Sequence, residues 1–395
     1  MSECYLNLRG LRAPVLLAGG EWRRSDFSGF LPNWPFEISE NSTQKPFAAI
    51  AWLDGRYHFD SDFADEPSLH TTLVNGVCDI IAHAARQRTV EQPDDLCLHA
   101  AAVEIGGGLV VFPALRRAGK SVMTAALAAR GYSVFGDDVL PVSAVPGAPF
   151  LGQATGAAIR LRRPLPDNLP DWLYGFAKSE VGPNNRQYAY VGGRQVAPNG
   201  TTAPLRALIR LEYATDGATV LSPMPKTEML KSLFKQNFGR GATADRILTA
   251  LFTLANTLPS YHLRYADLDA AISLISEAFE NESVPVVNMP PVPDARQSEN
   301  REESYHSDLP LRQHPEANLI HLENEAFAVS ADQFNVMHFD EGTLRLWALF
   351  EQPTSEIDVV EILQAAFPDV APERLQADAE RVVRKFWRTG LVEAA

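Results

Sequence analysis

The stretch "VVFPALRRAGKSVMTAALAARG", from Val110 to Gly131, decides how the middle of the chain folds. Its apolar beginning predicts a buried strand, and the alanine-rich run after Lys120 predicts a helix that ends at Gly131. A strand, a loop and a helix in this order direct backbone N–H groups and a helix N-terminus at a phosphate. The ending Gly119-Lys120-Ser121 matches the end of the phosphate-loop pattern G-x-x-x-x-G-K-[ST].

The start of the same loop departs from this pattern. Ala114 stands where the pattern has glycine, which costs about 1 kcal/mol or more if the position needs φ > 0. Arg116 and Arg117 occupy places that usually hold small residues. These arginines either add positive charge for the phosphates and the transition state, or point into solvent. The loop alone is therefore compatible with a working nucleotide site, a degraded one or a coincidence.

Composition limits the classes of protein and partner. The 395 residues suggest two or three domains, and a hydrophobic fraction of 46% is typical of globular cores. The net charge of -14 argues against nucleic acid as the main partner, because phosphate binding needs clustered Lys and Arg. The three cysteines form no C-x-x-C pair, which favours a reducing compartment without structural zinc or disulfides: Cys4, Cys78 and Cys97.

The N-terminus has no basic region followed by an apolar core, so no signal peptide is expected. No apolar run reaches the ~20 residues that a membrane helix needs. We expect a cytoplasmic protein with no membrane partner.

Changes in composition predict four segments. Residues 1–95 form a small α+β region, in which Ser68 is expected to cap a long amphipathic helix. Residues 96–280 form an α/β core. Residues 281–317 are rich in proline and charge and are typical of a linker. Residues 318–395 form a compact unit of strands followed by three helices.

Three side chains near the loop can carry chemistry. His99 is expected in the strand just before the loop strand, and the glycines of 106–108 predict the hairpin turn between these two strands. Asp137 and Asp138 come 17 and 18 residues after Lys120, at the end of the next strand. One carboxylate can hold magnesium while its neighbour accepts a proton from a hydroxyl. Each of these features also has a simpler interpretation: the aspartates form a solvated turn or a helix cap, and His99 is a structural residue. The glycines of 106–108 could instead be a phosphate loop, but no helix follows those glycines directly.

The segment from Leu96 to Val142 resembles the core of HPr kinase/phosphorylase and of HprK-related kinases, and weaker similarity continues to about Phe279. The resemblance is carried, at the family spacing, by His99, Gly119-Lys120-Ser121, Arg130-Gly131 and Asp137-Asp138. It implies a PEP-carboxykinase-like α/β core with a phosphate loop, and ATP and Mg²⁺ as cofactors.

The resemblance also implies roles for individual residues. Lys120 would bind the β- and γ-phosphates, and Ser121 would bind a magnesium ion. Asp138 would be the general base, while Asp137 and His99 would assist in metal binding, orientation and proton transfer. The nucleotide-binding loop would consist of Arg116, Arg117, Ala118, Gly119, Lys120, Ser121 and Val122.

Two departures from the family pattern bear on the substrate. Within the loop, the differing residues are Ala114, Arg116, Arg117 and Val122. The glycine-rich signature that HPr kinase carries after its core is missing, and the nearest segment is "GQATGAAIRLRRPL". That segment offers Arg160 and Arg162 as candidates for phosphate contact. HPr itself is therefore not the expected substrate.

The C-terminal unit resembles the PqqD family, whose members are winged-helix-like binders of precursor peptides in ribosomal peptide biosynthesis. The resemblance covers about Asn318 to Glu393 and is carried by the helix of Trp347, by "SEIDVVEIL" and by the closing "FWRTGLVE". It implies that 318–395 captures a leader peptide as an added β-strand. A DNA-binding winged helix is the alternative, and the acidity of this unit disfavours it.

Together the two resemblances predict an ATP-dependent kinase that phosphorylates a Ser or Thr of a ribosomally made precursor peptide. The leader-binding unit would raise the peptide's effective concentration at the kinase site. One alternative is a nucleotide-binding peptide chaperone that has lost transfer, and another is a kinase or phosphorylase of a folded carrier protein. Relatives of HPr kinase form hexamers, so a homo-oligomer is a further expectation.

Overall fold

The computed structural model describes residues 3–113, 118–166, 169–239, 241–291, 305–330 and 336–395. Its contacts divide the chain into two units, one of residues 1–242 and 253–290 and one of residues 243–252 and 291–395. Both combine helices and strands, so the protein is a mixed α/β protein. Within the described ranges, no helix has the length and hydrophobicity that a bilayer crossing requires.

The first unit begins with a six-stranded sheet of order β3-β1-β2-β4-β5-β6, against which a long helix packs. Its elements are β1 (Cys4–Leu8), β2 (Val15–Ala18), α1 (Ser25–Ser28), β3 (Phe36–Ser39), β4 (Ala48–Leu53), β5 (Arg56–Ser61), β6 (Ser68–His70) and α2 (Leu73–Glu91). The predicted helix start at Ser68 is wrong, because Ser68 pairs with Phe59 in β5 and the helix begins after Thr72.

A second, nine-stranded sheet forms the centre of the first unit. Its elements and those around it are β7 (Asp95–Leu98), β8 (Ala101–Ile105), β9 (Gly108–Phe112), α3 (Lys120–Ala129), β10 (Ser133–Gly136), β11 (Leu140–Ser143), β12 (Leu151–Gln153), β13 (Ile159–Arg162), α4 (Asp171–Ser179), β14 (Val181–Asn184), β15 (Tyr188–Val191), β16 (Thr202–Tyr213), β17 (Val220–Pro223), α5 (Lys226–Gln236), α6 (Ala244–Thr257), β18 (Ser260–Tyr265) and α7 (Leu268–Phe279). Helix α6 spans the division between the two units.

The twelve-residue strand β16 is the axis of this sheet. It pairs with β12 near its start, then in parallel with β9, and in parallel with β18 along its second half. On the other side of β9, the antiparallel strand β8 connects to β10. The hairpin predicted at 106–108 is confirmed, since Ile105 pairs with Gly108.

Helix α3 lies between the main sheet and a small sheet of order β13-β15-β14, and it also contacts α4 and α7. Residues Met123 to Ala128 are therefore all buried, including the hydroxyl-bearing Thr124. The buried hydroxyl of Thr124 is satisfied because it donates a hydrogen bond to the carbonyl oxygen of Lys120, at 2.9 Å. The alanines that predict this helix also allow close packing on every face.

Among its described residues from 305 onward, the second unit contains a two-stranded sheet, a three-stranded antiparallel sheet of order β20-β21-β22, and three helices. Its elements are β19 (Leu311–Gln313), β20 (Asn318–Leu322), β21 (Glu325–Val329), β22 (Val336–Phe339), α8 (Glu341–Leu349), α9 (Glu356–Ala366), α10 (Pro372–Arg388) and β23 (Val392–Ala394). Aromatic rings fill its core, with Phe386 against Phe339, Trp347 and Phe350.

Parts of the predicted linker carry structure. Met289 exchanges backbone hydrogen bonds with the 147–148 segment of the first unit, and β19 pairs with β23 in the second. Leu311 of β19 is completely buried in the second unit, although it lies in a proline-rich stretch. Composition alone does not predict this burial. Residues 292–304 of the linker lie outside the described ranges. The four-segment division itself stays a prediction.

Arg206 gives a test of how the sheet is held together. It is 2% exposed, and its guanidinium donates to the carbonyls of Phe279, Gly106 and Glu282 at 2.7–2.8 Å. Arg206→Met should lower the free energy of unfolding by about 3 kcal/mol, because buried carbonyls lose their donors. Urea unfolding measures this loss. Arg210→Met, on the same strand but half-buried, is the control, and an equal loss in both variants would contradict the assignment.

Candidate active site

One edge of the main sheet collects the predicted site residues. Strands β9, β16 and β18 are mutually parallel, and β10 has the same direction because both β9 and β10 are antiparallel to β8. The carboxyl ends of β9, β10, β16 and β18 therefore meet the start of β8 at one edge. His99 lies just before β8, Asp137 and Asp138 follow β10, and the loop follows β9. The topology thus brings together residues that are 20 to 40 positions apart.

Gly119 is the last residue of the loop and the N-cap of α3. Its φ is +87°, a left-handed conformation that favours glycine. A Cβ at this position would lie 2.4 Å from the hydroxyl oxygen of Tyr265, at the end of β18. Backbone conformation and close packing therefore both require glycine here.

Lys120 points from the first turn of α3 toward the other site residues. Only 8% of it is exposed, and its Nζ donates to the carbonyl oxygen of His99 at 3.3 Å. Burial lowers the pKa of Lys120, and the charges of Asp138 and Asp137 oppose that effect. The ammonium group is therefore held near both carboxylates, at the N-terminus of a helix.

Asp138 is bound from two sides. His99 Nε2 lies 2.7 Å from one carboxylate oxygen, and Arg160 Nη2 donates to the other at 2.6 Å. Burial alone would raise the pKa of Asp138. The hydrogen bond from His99 and the charges of Arg160, His99 and Lys120 outweigh burial and hold that pKa well below its usual range. Asp138 is thus an ionised carboxylate of fixed orientation, with a third of its side chain exposed.

Asp137 has the opposite environment. It is buried, and its Oδ2 accepts a hydrogen bond from the backbone N–H of Arg160 at 2.9 Å. Among the described residues, no group donates to its Oδ1. Burial and the neighbouring Asp138 charge raise the pKa of Asp137 to about 6. A buried oxygen without a donor, on an acid that titrates near neutrality, is suited to bind either a proton or a cation.

Arg160 connects the small sheet to this site. Its guanidinium contacts the thiol of Cys78 on α2 and lies 4.9 Å from the ring of Tyr188. Arg162, two residues further along β13, is exposed and lies 6.0 Å from the same ring. Arg160, which the sequence suggested as a phosphate contact, therefore pairs with the Asp138 carboxylate in this structure.

The remaining predicted residues lie close by or outside the described ranges. Ser121 and Val122 are half-buried in the first turn of α3, and Ala118 is half-buried just before it. Ala114, Arg116 and Arg117 lie outside the described residues.

Sequence reasoning missed the roles of Tyr265 and Cys78. Tyr265 lies 145 residues after Lys120 along the chain, and Cys78 lies in a helix whose apolar stripe predicted only core packing. Neither position belongs to a motif, so no signal short of the three-dimensional contacts identifies them.

The donor set fits magnesium bound jointly with a nucleotide. Within the described ranges, no group of three or more His, Cys, Asp or Glu side chains converges on one point, so a cage made only of protein ligands is not present there. Magnesium is commonly held by one or two carboxylates together with substrate phosphates. The unpartnered Oδ1 of Asp137 is a carboxylate ligand of that kind, and the hydroxyl of Ser121 in the first turn of α3 would be a further oxygen ligand.

Comparisons with known proteins add little. No protein-family model matches the chain, and no curated protein matches it. Among solved structures, the chain is similar to the Hpr(Ser) kinase/phosphatase from Coxiella burnetii, at 12% identity and a TM-score of 0.23. The alignment covers 46% of this chain and 91% of that one. Because the TM-score is so low, the function proposed below depends on the residues of the site.

The raised pKa of Asp137 predicts a pH-dependent stability. Unfolding returns this acid from about 6 to its ordinary 3.8, so its neutral form stabilises the fold below pH 3.8 and the effect is lost as pH rises through 6. In EDTA at pH 7.5, Asp137→Asn should therefore be more stable than wild type, by roughly 3 kcal/mol.

Thermal unfolding between pH 4 and 8 measures this difference. The advantage of Asp137→Asn should shrink to nothing as pH falls from 6 to 4. Asp60→Asn, which changes an exposed carboxylate on β5, should give no such trend. A constant advantage across the range would show that ionisation of Asp137 is not its cause.

Proposed function

We propose that the chain is an ATP-dependent kinase that transfers a phosphoryl group to a hydroxyl of a peptide substrate. The observation that carries this proposal is the ionised Asp138, bound by His99 and Arg160 beside Lys120 in the first turn of α3. A cation at a helix N-terminus binds phosphate, and an oriented carboxylate accepts the proton of an attacking hydroxyl. Phosphoryl transfer needs both within one site.

The described part of the loop would bind the phosphates. The backbone N–H groups of the first turn of α3 have no partner within the helix, and they lie at its positive dipole end. Lys120 would exchange its weak contact with the His99 carbonyl for the β- and γ-phosphates, which gives its buried ammonium group charged partners. Asp137 and Ser121 would hold Mg²⁺, which when bound neutralises charge on the transferred phosphoryl group.

Asp138 would orient the acceptor hydroxyl and take its proton. Its lowered pKa makes it a weak base, but the transition state of phosphoryl transfer is loose and demands little proton abstraction before the bond to the leaving group weakens. Position matters more than basicity under these conditions. His99 and Arg160 supply that position by occupying both carboxylate oxygens.

The second unit would bind the leader segment of a precursor peptide. Within the described residues, β20 pairs with β21 alone and so exposes a strand edge. Beside that edge runs a groove formed with α8, whose lining includes Leu319, His321, Leu344 and Trp347. A peptide added as a strand would find backbone partners on β20 and apolar contacts in the groove. These features support capture of a leader and a Ser or Thr acceptor further along the same peptide.

The transfer step is tested by Asp138→Asn and Lys120→Ala. With labelled ATP, Mg²⁺ and a precursor peptide, Asp138→Asn should lower kcat by about 100-fold or more and leave ATP affinity nearly unchanged. Lys120→Ala should lower both. Phosphopeptide formation and equilibrium ATP binding are the measurements, and Asp60→Asn is the matched control. ATP binding by the wild type without transfer would favour a nucleotide-binding chaperone.

Peptide capture is tested by Leu319→Asp in the full chain. Leu319 is half-buried in the groove beside β20, so a carboxylate there should weaken binding of a leader-bearing peptide by roughly tenfold or more. Fluorescence anisotropy measures the affinity. Ile362→Asp, on the exposed face of α9, is the control, because that residue is 43% exposed. Undiminished phosphorylation of long peptides by Leu319→Asp would instead favour recognition of a folded carrier protein.

A further inference from the structure

A cleft of about 490 Å³, partly open to solvent, lies beside Gly119 at the edge that carries the candidate active site. It belongs entirely to the first unit. Its floor and walls come from the start of α3, the segment before α4, the end of β16 and the β18–α7 connection. Clefts of several hundred Å³ at the carboxyl ends of parallel strands are where small ligands bind in α/β proteins.

The order of strands places this cleft opposite the acidic residues. From β10 the sheet runs through β8 and β9 to β16 and then β18. His99 and Asp138 belong to the β8 and β10 side of the loop, whereas the cleft belongs to the β16 and β18 side. A triphosphate that lies along the loop with its γ end toward Asp138 therefore has its nucleoside end directed at the cleft.

The lining suits the faces of an aromatic base. Tyr213 is 39% exposed, and its ring lies 5.7 Å from that of the buried Tyr265 in an edge-to-face arrangement. Val122 and Leu169 add apolar surface, which excludes water from a stacked base. The carboxylate of Asp267 also lines the cleft and is exposed, so it can accept from an exocyclic amino group.

The cleft has a fixed wall. Asp269, at the start of α7, forms an ion pair with Arg130 at the end of α3 and accepts from Trp172 Nε1 of α4 at 3.2 Å. The Arg130 guanidinium also lies 4.4 Å from the Trp172 ring. Three helices are thereby joined around the opening, which favours a ligand site that exists before binding.

We propose that this cleft binds the nucleoside of the triphosphate, with its base stacked on Tyr213. The inference rests on the proposed function, because the loop must hold the phosphates for the nucleoside to reach the cleft. It adds a second binding surface, separate from the loop, that distinguishes a nucleoside triphosphate from a bare polyphosphate.

Calorimetric titrations with ATP and with inorganic tripolyphosphate test the proposal. Tyr213→Ala should weaken ATP binding roughly tenfold, since an aromatic stacking partner is lost, and leave tripolyphosphate binding unchanged. Tyr213→Phe retains the ring and should bind both ligands as the wild type does. Unchanged ATP affinity in Tyr213→Ala, or an equal loss for both ligands, would overturn the proposal.

The wild-type chain provides a readout that is independent of any variant's folding. It should bind ATP roughly tenfold or more tightly than tripolyphosphate, because only ATP reaches the cleft. Equal affinities would overturn the nucleoside site and leave phosphate binding by the loop intact. Binding of neither ligand would overturn this proposal together with the proposed kinase function.

Discussion

The carboxylate of Asp138 is held by the imidazole of His99 and the guanidinium of Arg160, and the arrangement of the site depends on this double restraint. Two donors on two oxygens fix both the position and the plane of a carboxylate. Arg160 lies in β13 of the small sheet, and His99 lies between β7 and β8 of the main sheet, so the same carboxylate joins the two layers that enclose α3. The packing of α3 between these layers therefore keeps Lys120 close to Asp138.

Asp137 and Asp138 are adjacent in the chain, but their pKa values are shifted in opposite directions. Asp138 receives cationic partners, which keep its pKa low, whereas Asp137 is buried and receives a single backbone donor, so its pKa is raised to about 6. Neighbouring carboxylates with divergent pKa values are typical of sites where one acid handles a proton and the other a different task. Here β10 ends directly before the pair, and the change of chain direction sends the side chains to different surroundings.

Local sequence patterns predicted much of this arrangement. The glycine hairpin, the α3 helix, and the strand that ends at the two aspartates appear as expected, because each depends on residues close together in the chain. The start of α2 could not be predicted, since β5 recruits Ser68 as a strand residue across a sheet. Strand β19 in the predicted linker could not be predicted either, because it forms by pairing with β23, about 80 residues further along the chain. Contacts across that distance leave no periodic pattern.

The same limit applies to the site. The motif supplied His99, Lys120 and the aspartates. Arg160 was predicted only as a candidate for phosphate contact, because its pairing with Asp138 depends on a strand outside the motif. The left-handed Gly119 is a similar case, since the pattern predicts the glycine, whereas its contact with Tyr265 depends on the parallel pairing of β16 with β18.

The unpartnered oxygen of Asp137 has a consequence for the life of the protein in a cell. A ligand that binds only the folded state lowers the fraction of chains that open, in proportion to its concentration. A cation bound at this oxygen would remove the cost of leaving it unsatisfied, so the metal-free chain would open more often. Proteases act on opened chains, so if the site binds metal and nucleotide as proposed, the abundance of the protein would follow their supply.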